Sequence, residues 1–184
     1  MIRRFQRQRV DPQRARGQAL VEFALVIGLF MIVIGGIVQF GIVLWSQNAI
    51  NDIARDTARW AVTQSTSPCD SATSRTLVAA TANQLARGAV LVNYQSGGWS
   101  TATDPDLMGD EGVGVKWQQV PTPALVIPGD CPPSDNTTVW TVRVRIRHVV
   151  PIFVPGLQIF APACGSNGFC LSSITELRME PKKP

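Results

Sequence analysis

"FALVIGLFMIVIGGIVQFGIVLW", residues 23–45, decides the fold, because it carries no charge and one strongly polar side chain, Gln39. At about 1.5 Å of rise per helical residue the run reaches ~34 Å, against roughly 30 Å for the hydrocarbon core of a bilayer. A helix that is apolar all round needs protein or lipid on every side. Only 139 residues follow Trp45, many of them Ser, Thr, Gly or Pro, which is little material to bury such a helix. The run therefore reads as a membrane span. A removable secretory signal has a shorter apolar core, about 7–15 residues, closed by a small-x-small site. Here "LWSQNAIND" (44–52) continues as helix instead.

The charge is distributed unevenly around this run. Residues 1–17 hold Arg3, Arg4, Arg7, Arg9, Arg14 and Arg16 against Asp11, whereas the remainder has 11 basic and 12 acidic residues. The net charge of +4 thus belongs to a short tail. Nucleic-acid binding needs a basic face on a folded domain, so that class is set aside. Arginines beside a span stay on the cytoplasmic side. The expected topology is a cytoplasmic N-terminus with residues 46–184 extracytoplasmic.

Beyond the span, residues 46–64 contain no Gly or Pro and place Ile50, Ile53, Ala54, Thr57, Ala61 and Val62 near one helical face. One helix is predicted from about Gln18 to about Gln64, lipid-facing first and domain-facing second, ending at Ser65–Pro68. A second helix is predicted from a cap at Asp70 or Ser71 to Arg87, with Gly88 as its stop and Leu77, Ala80, Thr81 and Leu85 inward. Strands are predicted over 89–94, 112–120, 138–149 and 172–180. In the third, Trp140, Val142, Val144 and Ile146 face one way and Arg143, Arg145 and Arg147 the other. Antiparallel pairing with the last strand would set Glu176 and Glu180 opposite the arginine row. The fold class is α+β: a long transmembrane and amphipathic helix, then a small antiparallel β-rich extracytoplasmic domain with a second helix. The division is 1–17, a basic cytoplasmic leader; 18–64, the helix; and 65–184, the α+β domain.

Cys69, Cys131, Cys164 and Cys170 all fall on the exterior side, where an even number reads as two disulfides with three possible pairings. The short "GSNGF" between Cys164 and Cys170 can close locally, which leaves Cys69 for Cys131. A metal site is the rival reading, but there is no Cys-x-x-Cys and His148 is the only histidine. "DPDLMGDEG" (104–112) is acidic, yet Met108 stands where a calcium loop needs oxygen, so a solvated loop is expected. His148 reads as structural, and the arginine row as a solvated strand face. With one histidine and no Gly-x-Ser-x-Gly elbow, no hydrolase triad is supported. Neither a cofactor nor an enzymatic activity is expected.

One charge interrupts the apolar helix near its start. "RARGQALVEF" (14–23) sets Glu22 at the fifth position after Gly17, behind a basic tail. That arrangement resembles the processing and assembly signal of type IV prepilins. "RGQALVEFALVIGLF" (16–30) and "GGIVQFGIVLWSQNAINDIARDTARWAV" (35–62) are similar to the TadE-like family, minor pseudopilins of tight-adherence (Flp) pili. "VRVRIRHVVPIFVPG" (142–156) and "SSITELRME" (172–180) look like the family's closing strands and Pro-rich loop. Gly28 stands where members often carry a proline, and Gln39 where they often carry a glutamate. The resemblance implies cleavage between Gly17 and Gln18 by a prepilin peptidase. It also implies that Glu22 pairs with the free amine of a neighbouring pilin or pseudopilin subunit in the bilayer. A carboxylate at the edge of the hydrocarbon can alternatively reach the headgroup layer from its own helix. The implied function is structural, a pilin-like subunit assisting assembly of a tight-adherence pilus. The alternative is an uncleaved single-pass anchor that displays a binding module of the cell envelope.

Overall fold

A computed structural model describes residues 12–63, 72–94, 98–102, 105–106, 108–120, 139–154, 156–160 and 168–179. Helix α1, Pro12–Thr63, runs unbroken for 52 residues, ~78 Å at standard rise. It begins ahead of Gly17, earlier than the predicted start, so the glycine lies within the helix. Helix α2 is Ala72–Gly88. Four strands follow: β1, Thr101–Ala102; β2, Gly112–Val120; β3, Val139–Pro151; and β4, Gly168–Arg178, with a short 3-10 turn at Leu157–Phe160 between the last two. They form one mixed sheet in the order β1-β2-β3-β4, with β1 parallel to β2 and the other pairs antiparallel.

The alternation in β3 builds the core. Val142, Val144 and Ile146 are fully buried, beside Val113 and Val115 of β2 and Phe169 and Leu171 of β4. The second half of α1 closes this face over β3 and β4, while α2 closes it over β2. Ile50, Ile53, Ala54, Thr57, Ala58 and Ala61 of α1 are buried, the stripe expected from the 3.6-residue period with Ala58 added and Val62 only half-buried. The contact face of α2 is rotated from the expected one, of which Leu85 packs against the core and Thr81 is half-buried. Val78, Ala79, Ala82 and Ala86 are buried, whereas Leu77 is 54% exposed and Ala80 points outward. Small side chains let the helix lie close to α1 and the sheet, and that requirement outweighs the size of Leu77.

Residues 89–94 form a turn and not the expected strand. Val90 (φ 51°) and Asn93 (φ 64°) occupy the left-handed region, uncommon for a β-branched residue. Their bend drives Leu91 into the core and leaves Val90 in solvent. Asn83 of α2 pins the following segment, accepting from the backbone N–H of Trp99 at 2.7 Å and from the Tyr94 hydroxyl at 2.7 Å. Burial raises the pKa of the Tyr94 hydroxyl, partly offset by Arg87.

The outer face of the sheet is covered where a solvated surface was expected. Arg145 Nη1 donates to the Pro105 carbonyl at 3.0 Å, and Arg147 Nη1 to the Met108 carbonyl at 3.0 Å. Asp106 lies 3.3 Å from Arg143 and 3.6 Å from Arg145. Glu176 is in register with Arg143, so one carboxylate does stand opposite the row; Glu180 lies outside the described residues. Pro105 and Met108 are buried against β2 because Gly114 leaves room: a Cβ there would sit 2.6 Å from Met108 Sδ and 2.6 Å from Pro105 Cα. Gly114→Ala is accordingly expected to destabilise the chain by about 1–3 kcal/mol through overpacking. Thermal unfolding in detergent checks this, and an unchanged midpoint would show that the covering segment is not held there.

Candidate functional site

Along α1 from Leu20 to Val38 nearly every large apolar side chain is exposed, whichever way it points: Leu25 is 71% exposed, Leu29 66% and Ile32 61%. None of the most apolar 18-residue window is buried by the rest of the chain. Leaving a Leu, Ile or Phe side chain in water forgoes about 1.5–3 kcal/mol each. A helix in this state is completed by lipid or by other helices. The second half of α1 behaves oppositely and is built into the domain, so one element couples the span rigidly to the sheet.

Gly17, Gln18 and Glu22 share the first turns of the exposed segment. Glu22 Oε1 accepts from Gln18 Nε2 at 3.2 Å, a contact between residues one turn apart. Among the described residues, nothing beyond its own helix comes within 4 Å of where a Cβ on Gly17 would stand. The structure thus brings the three sequence-derived positions together on an unobstructed stretch of helix. Cys170 lies on β4; Cys69, Cys131 and Cys164 lie outside the described residues.

Where span and domain meet, one residue performs a role that the sequence did not announce. Gln39 is 1% exposed, although it belongs to the apolar run. Its Nε2 donates to the Pro151 carbonyl at 3.0 Å, and its Oε1 accepts from the Phe153 backbone N–H at 2.9 Å. Both ends of the amide are used, which fixes its orientation. Beside it, Val154 Cγ2 lies 3.0 Å from the position a Cβ on Gly35 would take, so the glycine admits the loop. Phe40 meets Phe169 with ring centroids 6.4 Å apart, and Gln47 Nε2 donates to the Ser172 carbonyl at 3.3 Å. A polar side chain alone in a span demands a partner. That was the available signal, but the partners are backbone groups, which leave no sequence mark.

His148 is wholly buried on the inner face. Its Nε2 stands 2.8 Å from the Val92 carbonyl, which can only accept, so Nε2 carries a proton. Nδ1 lies 3.4 Å from Trp99 Nε1 and 3.3 Å from Glu111 Oε1, while the same carboxylate oxygen accepts from Val149 N at 3.1 Å. These contacts hold the 89–94 turn and the 98–102 segment against the sheet. Among the described residues no three His, Cys, Asp or Glu side chains converge as metal ligands.

The molecule is, by class, an α+β domain built onto the second half of a long helix whose apolar first half is a membrane anchor. Residues 17–59 match the family model described as TadE-like protein, in agreement with the resemblance read from the Gly17–Glu22 motif. The match covers the exposed apolar segment and most of the buried stripe of α1; the sheet lies beyond it. No curated protein and no solved structure matches the chain.

Proposed function

We propose that the chain is a minor pilin-like subunit that assists assembly of a tight-adherence pilus. Its N-terminus is cytoplasmic, α1 crosses the membrane, and the sheet domain is extracytoplasmic. A prepilin peptidase removes residues 1–17, and the new amino terminus at Gln18 enters a packed array of pilin helices. The observation that supports this reading most is the TadE-like helix, bare on all faces, whose one charge between Arg16 and Asp52 is Glu22. Gly17 lies within α1, so the peptidase must first unwind the helix locally. A glycine lowers that cost by up to about 1 kcal/mol relative to alanine. In the assembled state the charged amine of a neighbouring Gln18 displaces the neutral amide now facing Glu22, because a hydrogen bond between charged groups is the stronger. In the oxidising exterior the four cysteines form two disulfides, Cys164 with Cys170 and Cys69 with Cys131.

The test is intact-mass measurement of the chain from cells with an active prepilin peptidase. The expected mature species begins at Gln18, and Gly17→Val accumulates the uncut form. Mass spectra without and with reduction report the disulfides. An N-terminus that stays intact in the unsubstituted protein, with piliation unaffected by its loss, would favour the uncleaved anchor displaying a binding module.

A further inference from the structure

We infer that the loop Pro151–Phe160 is a second membrane contact, seated in lipid at the boundary of the bilayer on the domain's side. The inference rests on reading α1 as a membrane span and adds that the domain touches the same bilayer. Depth is the first reason. The loop is fastened to α1 at Gly35 and Gln39. Gly35 lies 18 residues past Gly17, about 27 Å along the helix, and the hydrocarbon is roughly 30 Å thick. If the hydrocarbon starts nearer Phe23, the attachment points move deeper still. In either register the loop reaches the level where headgroups give way to acyl chains.

Chemistry is the second reason. Phe153 is 60% exposed and Ile159 84% exposed, although both are large and apolar. No charged residue occurs from 149 to 175, so no side-chain charge in this stretch opposes insertion. Irregular backbone at membrane depth must have its polar groups satisfied by protein. Gln39 does this for the Pro151 carbonyl and the Phe153 N–H, which explains a polar side chain within the apolar run. Phe153 is thus held one hydrogen bond from a helix whose neighbouring Ile34 and Val38 are themselves exposed.

The full-length chain, carrying Trp45→Phe to remove the nearest tryptophan, is reconstituted into phosphatidylcholine vesicles brominated at shallow or at deep acyl positions. Leu25→Trp, Phe153→Trp and Ile159→Trp are compared with that parent. The added tryptophans at 153 and 159 are expected to lose roughly half of their emission to shallow bromines, as interfacial aromatic rings do, and less to deep ones. Leu25→Trp is expected to be quenched by deep bromines. Quenching at 25 without quenching at 153 and 159 overturns the loop contact and leaves the anchor standing. Loss of quenching at all three positions overturns the membrane reading itself. Ile159 is almost fully exposed, so its substitution tests the loop even if Phe153→Trp folds poorly.

Discussion

Gln39→Leu is expected to lower the stability of the folded chain by about 1–3 kcal/mol, because it leaves two part-buried backbone groups without their side-chain partner. Leucine has nearly the volume of glutamine, so packing against Gly35 and Val154 is retained and the loss isolates the hydrogen bonds. The Pro151 carbonyl and the Phe153 N–H both bond to a side chain that is itself 1% exposed. Gln39→Asn is expected to be intermediate, since it is one methylene short and cannot span both groups. Gln47→Leu serves as control: its contact with the Ser172 carbonyl is exposed and long at 3.3 Å, and it should cost well under about 1 kcal/mol. Guanidinium unfolding in micelles, monitored by tryptophan fluorescence, measures all three. A Gln39→Leu chain as stable as the parent would show that the loop finds other partners, which would remove the rationale for a glutamine in the span.

The parts of this fold that were legible in the sequence are those where one side of an element is buried and the other is not. The α1 stripe from Ile50 to Ala61 and the alternation of Val142, Val144 and Ile146 against the arginines both follow from that asymmetry, and both stand in the structure. The membrane helix was legible by the absence of any asymmetry. Three features misled. On α2, Leu77 drew the inner face toward itself, although a helix pressed against both α1 and the sheet needs alanines. Residues 89–94 had strand composition, but two left-handed residues turn the run so that only Leu91 is buried. The acidic segment near 104–112 looked solvated because its strongest contacts are made by carbonyls of Pro105 and Met108, which any residue can supply. Of the candidate site, Gly17, Gln18 and Glu22 were legible as a motif. The Gln39 clamp was not, since a side chain bonded to backbone 112 and 114 residues away has no periodic or pairwise signature.

His148→Leu is expected to cost about 2–4 kcal/mol, combining one orphaned backbone acceptor with the loss of ring packing. The acceptor is the Val92 carbonyl, 2.8 Å from Nε2, in a turn whose left-handed residues Val90 and Asn93 hold it in place only while such contacts persist. Trp99, whose ring packs edge-on to the imidazole at 5.9 Å, would lose the partner of its indole N–H as well. The loss should appear as a weakened near-ultraviolet circular dichroism band alongside the lower unfolding midpoint. Trp99→Phe separates the two contributions: it keeps the Val92 bond and should cost less, because its own hydrogen bond is long at 3.4 Å. Glu111 Oε1 lies 3.3 Å from the other ring nitrogen, Nδ1, and accepts from the Val149 N–H at 3.1 Å. Glu111→Gln keeps an oxygen that can accept from the Val149 N–H, so it should be tolerated far better than His148→Leu when both are unfolded under the same conditions. If the two variants lost stability equally, the buried histidine would be acting through its pairing with Glu111 and not through its grip on the Val92 turn.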